Sequence, residues 1–192
     1  KFNELKLEDI DYLRTHVEEI SDISPLLFIN APSVRFGSTE TTARVFATTP
    51  TYQDAQQRFA TMGRFLSESD ETSARRVAVI GPKLIETLHL PENPIGQYIS
   101  FSNEWFKIIG VMEKRGELFG MSQDDYVIIP FRTGRSIIGN NQRLRNMQLT
   151  VSLYDISKLE EVKPRIRAVM RASHRLDPDV PDDFDMESSD QL

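Results

Sequence analysis

Four consecutive apolar residues, Val77-Ala78-Val79-Ile80, end at Gly81-Pro82, and this run most limits the folds open to the chain. An unbroken apolar run of strand length requires cover on both faces, and a glycine-proline pair then turns the chain back, so the run reads as a central strand. Pro82 suits the first position of a helix, where its missing N–H has no intrahelical partner. Leu84, Ile85 and Leu88 then share one side of a short helix ending near His89. Pro91, Asn93 and Pro94 break regular structure before Gln97 to Phe101, a strand with Tyr98 and Ser100 on one face and Ile99 and Phe101 on the other. Ser102-Asn103-Glu104 reads as a hairpin turn into a partner strand, Trp105 to Met112. A third run, Tyr126 to Ile129, stops at Pro130, which cannot donate to a ladder. The stretch from Arg75 to Phe131 therefore predicts a compact β-rich unit.

The flanks are mixed. Leu7, Ile10, Leu13, Val17 and Ile20 recur at spacings of three and four, predicting an amphipathic helix over 7–20 with Glu8, Asp9 and Asp11 in its first turn, where the helix dipole favours acids. Ser24-Pro25 begins a return run, Leu26 to Ile29. Ser33 to Phe36 and Ala43 to Thr48, joined by Gly37-Ser38-Thr39-Glu40, read as a β-hairpin. Residues 50–62 read as a short helix or irregular connection into a turn at Gly63. Residues 131–146, with four arginines, three asparagines and two glycines, read as a polar crossing segment. Met147 to Tyr154 alternates like a half-buried strand, and Ser157 with Glu160 matches a capping box for a helix over 157–174. That helix is lined by Leu159, Val162, Ile166, Val169, Met170 and Leu176. Pro164 inside it either kinks the helix or separates its first turn. The last sixteen residues hold seven acids and no base, and Phe184 with Met186 is their one strand-like pair, so a loop and a poor edge strand are expected. Helix followed by antiparallel strands makes the class α+β.

Bulk properties narrow the function. At 192 residues the chain can remove roughly 70% of its unfolded surface from water in one core, or form two small subdomains. The longest apolar runs fall far short of the ~20 residues that cross a bilayer. A net charge of −6 argues against nucleic acid as a partner. The absence of cysteine removes disulfides, thiolate metal sites and cysteine nucleophiles, and no signal peptide opens the chain, so targeting information for an exported form would lie outside these residues.

Nothing in the chain forms a catalytic motif. His16, His89 and His174 are too scattered for a helical metal pair and read as surface or helix-flanking residues. Gly120-Met121-Ser122 lacks the second glycine of a nucleophile elbow. Gly110, Gly116 and Gly120 belong to no phosphate loop and read as turn glycines. Asp124-Asp125 with the acidic tail lacks calcium-loop spacing and reads as solvated carboxylates. Trp105 and Phe106 read as core packing rather than a ligand platform, and Arg132, Arg135, Arg143 and Arg145 as a solvated loop rather than an anionic contact surface. No catalytic, cofactor-binding or metal residue and no cofactor is expected, and the chain reads as a non-enzyme.

Five pieces in order, Gly63-Arg64-Phe65, Val77 to Gly81, Pro94 to Ile99, Phe106 to Val111 and Asp125 to Pro130, together with Leu7 to Asp11, resemble the extracytoplasmic core domain of MacB-like (FtsX-like) ABC transporter permeases. The resemblance covers nearly the whole chain. It implies a porter-like α/β subdomain built from both ends, 1–53 and 143–192, and an inserted β-rich, Sabre-like subdomain, 54–142, with Lys1 and Leu192 close together at the membrane face. It also implies a non-catalytic domain at the extracytoplasmic face of the bacterial inner membrane, relaying ATP-driven conformational change in efflux, lipoprotein release or signalling. The partners implied are a second permease protomer in a homodimer, a cytoplasmic ATPase domain or subunit, a periplasmic adaptor protein, and the membrane through flanking transmembrane helices. Its motifs are structural, so no contact residue carries over. Two rivals stay open: a ligand-sensing extracytoplasmic domain of a membrane receptor, which would present a concave apolar pocket, and a secreted enzyme of unfamiliar type, which would present a cleft with perturbed titratable groups.

Overall fold

The computed structural model describes residues 5–31, 33–139 and 146–188. The chain opens with α1 (Leu7–His16), β1 (Ile20–Ile29), β2 (Val34–Phe36), β3 (Thr39–Thr41) and β4 (Arg44–Thr48). Then come α2 (Tyr52–Gln56), β5 (Ala60–Gly63), α3 (Glu68–Thr72), β6 (Val77–Ile80), α4 (Lys83–Thr87), β7 (Tyr98–Phe101) and β8 (Glu104–Met112). A two-residue pair, β9 (Glu117–Leu118) and β10 (Met121–Ser122), leads to β11 (Tyr126–Pro130), α5 (Phe131–Ile138), β12 (Met147–Leu153), a 3₁₀ turn (Ile156–Lys158) and α6 (Leu159–Ser173). This is the mixed α+β architecture expected. It divides into two compact units, Lys1–Ile23 with Arg143–Leu192, and Ser24–Gln142.

In the middle unit, β11 lies between β4, to which it runs parallel, and β6, to which it runs antiparallel. β6 continues in parallel to β8. β8 has β7 on its other side over Glu104 to Lys107, and β5 takes over that side from Gly110 to Met112. Beyond β7 come β2 and β3. Val77, Val79, Ile109, Tyr126 and Ile128 pack on one face with Phe46, Tyr52, Phe65 and Met112. Ala78, Ile80, Ile108, Val127 and Ile129, on the other face, are fully buried too. The apolar run at 77–80 is thus covered on both sides, as its composition requires.

The handover between β7 and β5 depends on two glycines. Gly63 and Gly110 are direct partners across the β5–β8 pair. A Cβ on Gly110 would stand 2.0 Å from the Arg64 carbonyl oxygen, and one on Gly63 would stand 2.1 Å from the Ile109 carbonyl oxygen. Gly110 is therefore a close-approach residue inside a strand, not the turn glycine its sequence suggested.

In the other unit, α1 and α6 share a core of Leu13, Val17, Ile20, Ile23, Val162, Ile166, Met170 and Phe184, against which Leu149, Val151 and Leu153 pack. β12 is hydrogen-bonded to β1, and just beyond the two strands the Tyr154 N–H donates to the Glu19 carbonyl.

Several boundaries differ from the sequence reading. α1 stops at His16, because Val17 is already extended, although Leu13, Val17 and Ile20 do share one core. The return run does not start at Ser24-Pro25; both lie inside β1. Pro25 lacks a donor, and its carbonyl accepts the Thr48 hydroxyl at 2.7 Å; pairing to β4 begins only at Leu26. The hairpin partner of Val34–Phe36 is Thr39–Thr41, while Arg44–Thr48 pairs with β1 and β11. The first half of the expected polar crossing segment is α5, whose first N–H groups at Phe131 and Arg132 are capped by the Glu71 carboxylate at 3.0 and 2.6 Å. The capping box at Ser157 does not form. Asp155 accepts from the Ser157 N–H and hydroxyl instead, and α6 runs unbroken through Pro164. No strand forms among the described residues after α6; Phe184 enters the core as a loop residue. The expected closeness of Lys1 and Leu192 lies outside the described residues.

Substituting Gly110→Ala should destabilise the protein by about 2 kcal/mol or more, since the clash is with backbone that cannot rotate away. In a thermal melt this lowers Tm by about 4–8 °C; an unchanged Tm would show that the β5–β8 approach is not tight.

Candidate functional site

The titratable residues collected from the sequence go to different places. His16 is exposed on α1, stacked on Tyr12 with ring centroids 4.1 Å apart, and His89 is exposed just after α4. Ser122 accepts the Asp124 N–H, and Gly116 and Gly120 are turn glycines with φ of 86° and 76°. Asp124 is buried rather than solvated, its two oxygens accepting the Arg115 and Gly116 N–H groups at 2.8 Å each, while Asp125 faces Arg44. Trp105 and Phe106 separate as strand alternation requires. Phe106 is buried and stacked on Phe101 at 4.2 Å, whereas Trp105 is 62% exposed and is no core residue. Arg132 donates to the Thr72 carbonyl and Arg135 lies on α5; Arg143 and Arg145 lie outside the described residues.

One histidine is not a surface residue. His174, which ends α6, has a side chain only 2% exposed and is held between two carboxylates. Its Nε2 lies 2.8 Å from Asp9 on α1, and its Nδ1 lies 2.6 Å from Asp183 in the segment after α6. Asp9 is fully buried. Its other oxygen accepts the Ser173 hydroxyl at 2.7 Å, and it also accepts the Lys6 N–H. Burial pulls the His174 pKa down, but the hydrogen bonds and charges of Asp9 and Asp183 outweigh it and leave the pKa raised. The geometry does not form a hydrolase triad, because Ser173 donates to Asp9 and not to the imidazole. The chemistry it performs is holding: the two imidazole nitrogens, each hydrogen-bonded to one carboxylate, fasten α1 and the segment after α6 to the end of α6. Beside it Arg171 donates to Asp182 at 2.6 Å and to the Asp177 and Val180 carbonyls, fixing the same segment.

The middle unit has a counterpart in Asp70, also fully buried. It accepts from the Ser67 N–H at 2.8 Å, from Arg64 through both oxygens at 2.7 and 3.3 Å, and from Arg75 at 3.2 Å. Burial pushes its pKa up. The Arg64 guanidinium and the Ser67 donors overcome that and bring it down to about 2. Arg64 follows Gly63, so this carboxylate pins the strand end at which β5 meets β8. Among the described residues no cluster of three or more histidines and acids is arranged to hold a metal ion.

Comparison with known proteins gives consistent findings. The family described as MacB-like periplasmic core domain matches residues 1–169. The macrolide export ATP-binding/permease protein MacB of Marinobacter nauticus is 32% identical over 146 residues, which are 76% of this chain and 22% of that protein. The chain thus spans about a quarter or less of the curated relatives it matches. The crystal structure of the periplasmic region of MacB from Actinobacillus actinomycetemcomitans superposes with a TM-score of 0.76 at 21% identity, covering 90% of this chain and 76% of that one. The extracellular domain of the noncanonic ABC-type transporter YknZ from Gram-positive bacteria superposes with a TM-score of 0.75 at 16% identity, covering 89% and 84%.

Two pH windows follow. A raised His174 pKa means that the folded state binds the proton more tightly than the unfolded chain, whose value is about 6.5. The stabilisation is complete below about 6.5 and is lost as pH rises through the folded value. Melting curves from pH 5 to 9 should show this loss in the native protein and its absence in His174→Gln; parallel profiles would show that the clasp does not titrate. Asp70 works in the opposite direction. Its stabilisation is present above the ordinary value of about 3.9 and is lost as pH falls toward 2. Asp70→Asn should cost about 2–4 kcal/mol in urea unfolding at pH 7, because two arginines lose a buried partner. A change below 0.5 kcal/mol, typical of a plain surface substitution, would contradict the assignment.

Proposed function

Because this chain belongs to the family of MacB-like periplasmic core domains, we propose that it is the extracytoplasmic part of an ABC transporter permease, relaying to its outer side conformational change driven by ATP hydrolysis on the cytoplasmic side. The match over residues 1–169 carries the proposal. The relatives bear names that join ATP binding to a permease, and the shared segment is a minor part of their length, so we assign ATP binding and membrane crossing to other parts of such a protein. No helix among the described residues is long and apolar enough to cross a membrane. In this reading the domain does no catalysis. A porter-like subdomain comes from the two chain ends and an inserted subdomain from the middle. The partners are a second protomer, a cytoplasmic ATPase domain or subunit, and an extracytoplasmic adaptor.

What supports a relay role physically is the construction of each unit. A relay passes on a displacement only if its bodies do not deform, and both units have dense cores with buried carboxylates holding their turns. The Asp9–His174–Asp183 arrangement sits where the chain leaves α6, so it makes the end of that helix and the following segment move together.

The test uses the absence of cysteine in this segment. In the full-length protein, with every other cysteine changed to serine, Lys83→Cys places one thiol at a side chain 39% exposed. A membrane-impermeant maleimide should label it in intact cells. Labelling only after lysis would place the domain in the cytoplasm and overturn the proposal.

A further inference from the structure

The pair β9–β10 runs contrary to ordinary surface design. Met121 pairs with Leu118 and Ser122 with Glu117, joined by the two-residue loop Phe119-Gly120. Leu118 is 55% exposed, Met121 74% and Phe119 96%, so three large apolar side chains occur within four residues at the tip of one hairpin. Single exposed apolar residues are ordinary; a cluster of this kind marks a contact site.

The backbone points the same way. Phe119 and Gly120 both have positive φ, 53° and 76°. Such a turn matches the twist of a two-residue hairpin and is normally filled by Asn-Gly, Asp-Gly or Gly-Gly. A phenylalanine in the left-handed region is strained, and residues held so cluster at ligand clamps and contact points. The base, by contrast, is tied down. Asp124 caps the Arg115 and Gly116 N–H groups, the Gln123 N–H donates to the Gly116 carbonyl, the Lys83 N–H donates to the Asp124 carbonyl, and the Arg115 guanidinium reaches the Gln57 carbonyl. A rigid stem thus presents an apolar apex.

We infer that the hairpin Glu117–Ser122 is a docking finger that inserts Phe119, flanked by Leu118 and Met121, into an apolar pocket of a separate extracytoplasmic protein. A second copy of the chain does not fit. A convex tip has no complement in another convex tip, and five exposed residues offer far less than the roughly 800 Å² per partner of a stable interface. A bilayer does not fit either. The charged residues on the stem, Glu113, Lys114, Arg115 and Glu117, are two acids and two bases, without the basic cluster that holds a protein to anionic lipid. Phenylalanine and methionine are enriched at protein interfaces, and a small apolar apex of this kind suits a transient contact centred on one aromatic anchor. The partner's compartment rests on the function proposed above; the finger itself does not.

The test places the photoreactive amino acid p-benzoylphenylalanine at position 119 of the full-length protein in cells, with the exposed Glu92 as control position. Irradiation should give an adduct with a distinct polypeptide, absent at 92 and reduced about tenfold by Leu118→Ser with Met121→Ser, the scale of losing anchor contacts. The same double variant of this domain should melt within about 2 °C of the parent, because its substituted side chains are on the surface. If that variant fails to fold, Met121→Ser alone takes its place; that side chain is 74% exposed, so the variant should melt with the parent and still weaken the adduct. Adducts with phospholipid alone, with a second copy alone, or equal yields at 119 and 92 would overturn the finger. Thiol labelling of Lys83→Cys reports the compartment separately, so a protein that labels from outside yet gives no adduct at 119 loses the finger and keeps the proposed function.

Discussion

The middle unit depends on β11 finding both of its neighbours. All five of its residues are buried, so their backbone polar groups have no access to water and need ladder partners on each side. One partner, β4, ends at Thr48 and the other, β6, at Ile80, so the chain reaches Pro130 before the centre of the sheet is complete. The parallel pairing to β4 cannot be made by a tight turn. The intervening residues supply the crossover, which runs from α2 to β10 and includes β6 and β8. Contacts so distant in sequence make this unit cooperative: no hairpin within it buries both of its faces alone.

Most of this was readable because strands buried on both faces announce themselves. Val77 to Ile80, Trp105 to Met112 and Tyr126 to Ile129 are continuous or nearly continuous in apolar residues, and Tyr98 to Phe101 alternates as its burial does. What escaped notice depends on partners far away in sequence. α5 has a weak signal because Gly134 and Thr133 sit in its middle. Yet a Cβ at Gly134 would come within 2.4 Å of the Ala47 side chain, so the contact that seats the helix on β4 is also what weakens its pattern. Its cap comes from Glu71, sixty residues earlier, and no local motif can show that. Likewise, Leu13, Val17 and Ile20 share one core, but a helix turn and the first residue of a strand reach it equally well, so periodicity alone could not tell where α1 ends.

The same distance limit applied to the candidate site. His174 and Asp9 are 165 positions apart, and each in isolation looks like an exposed polar residue. Asp9 even has a sufficient local explanation in the first-turn preference for acids, which hides its second role. Trp105 was legible in principle, since strand alternation puts it opposite Phe106. At the hairpin tip, the positive φ of Gly116 and Gly120 suited their reading as turn glycines, but the apolar residues between them resemble a short buried run. Only the exposure of Phe119 separates the two readings.

Three of the five motifs that carry the family resemblance can now be given physical reasons. Gly63 and Gly110 are fixed by each other's backbone, Arg64 by the buried carboxylate of Asp70, and Gly81 by the Asp124 carbonyl, 2.2 Å from where its Cβ would lie. These are constraints of close approach and charge satisfaction inside one unit. In this chain such residues fix the core, whereas exposed residues such as Phe119 and Trp105 do not hold it together. Under the proposed relay function, contact residues can therefore differ while the frame that carries them stays the same.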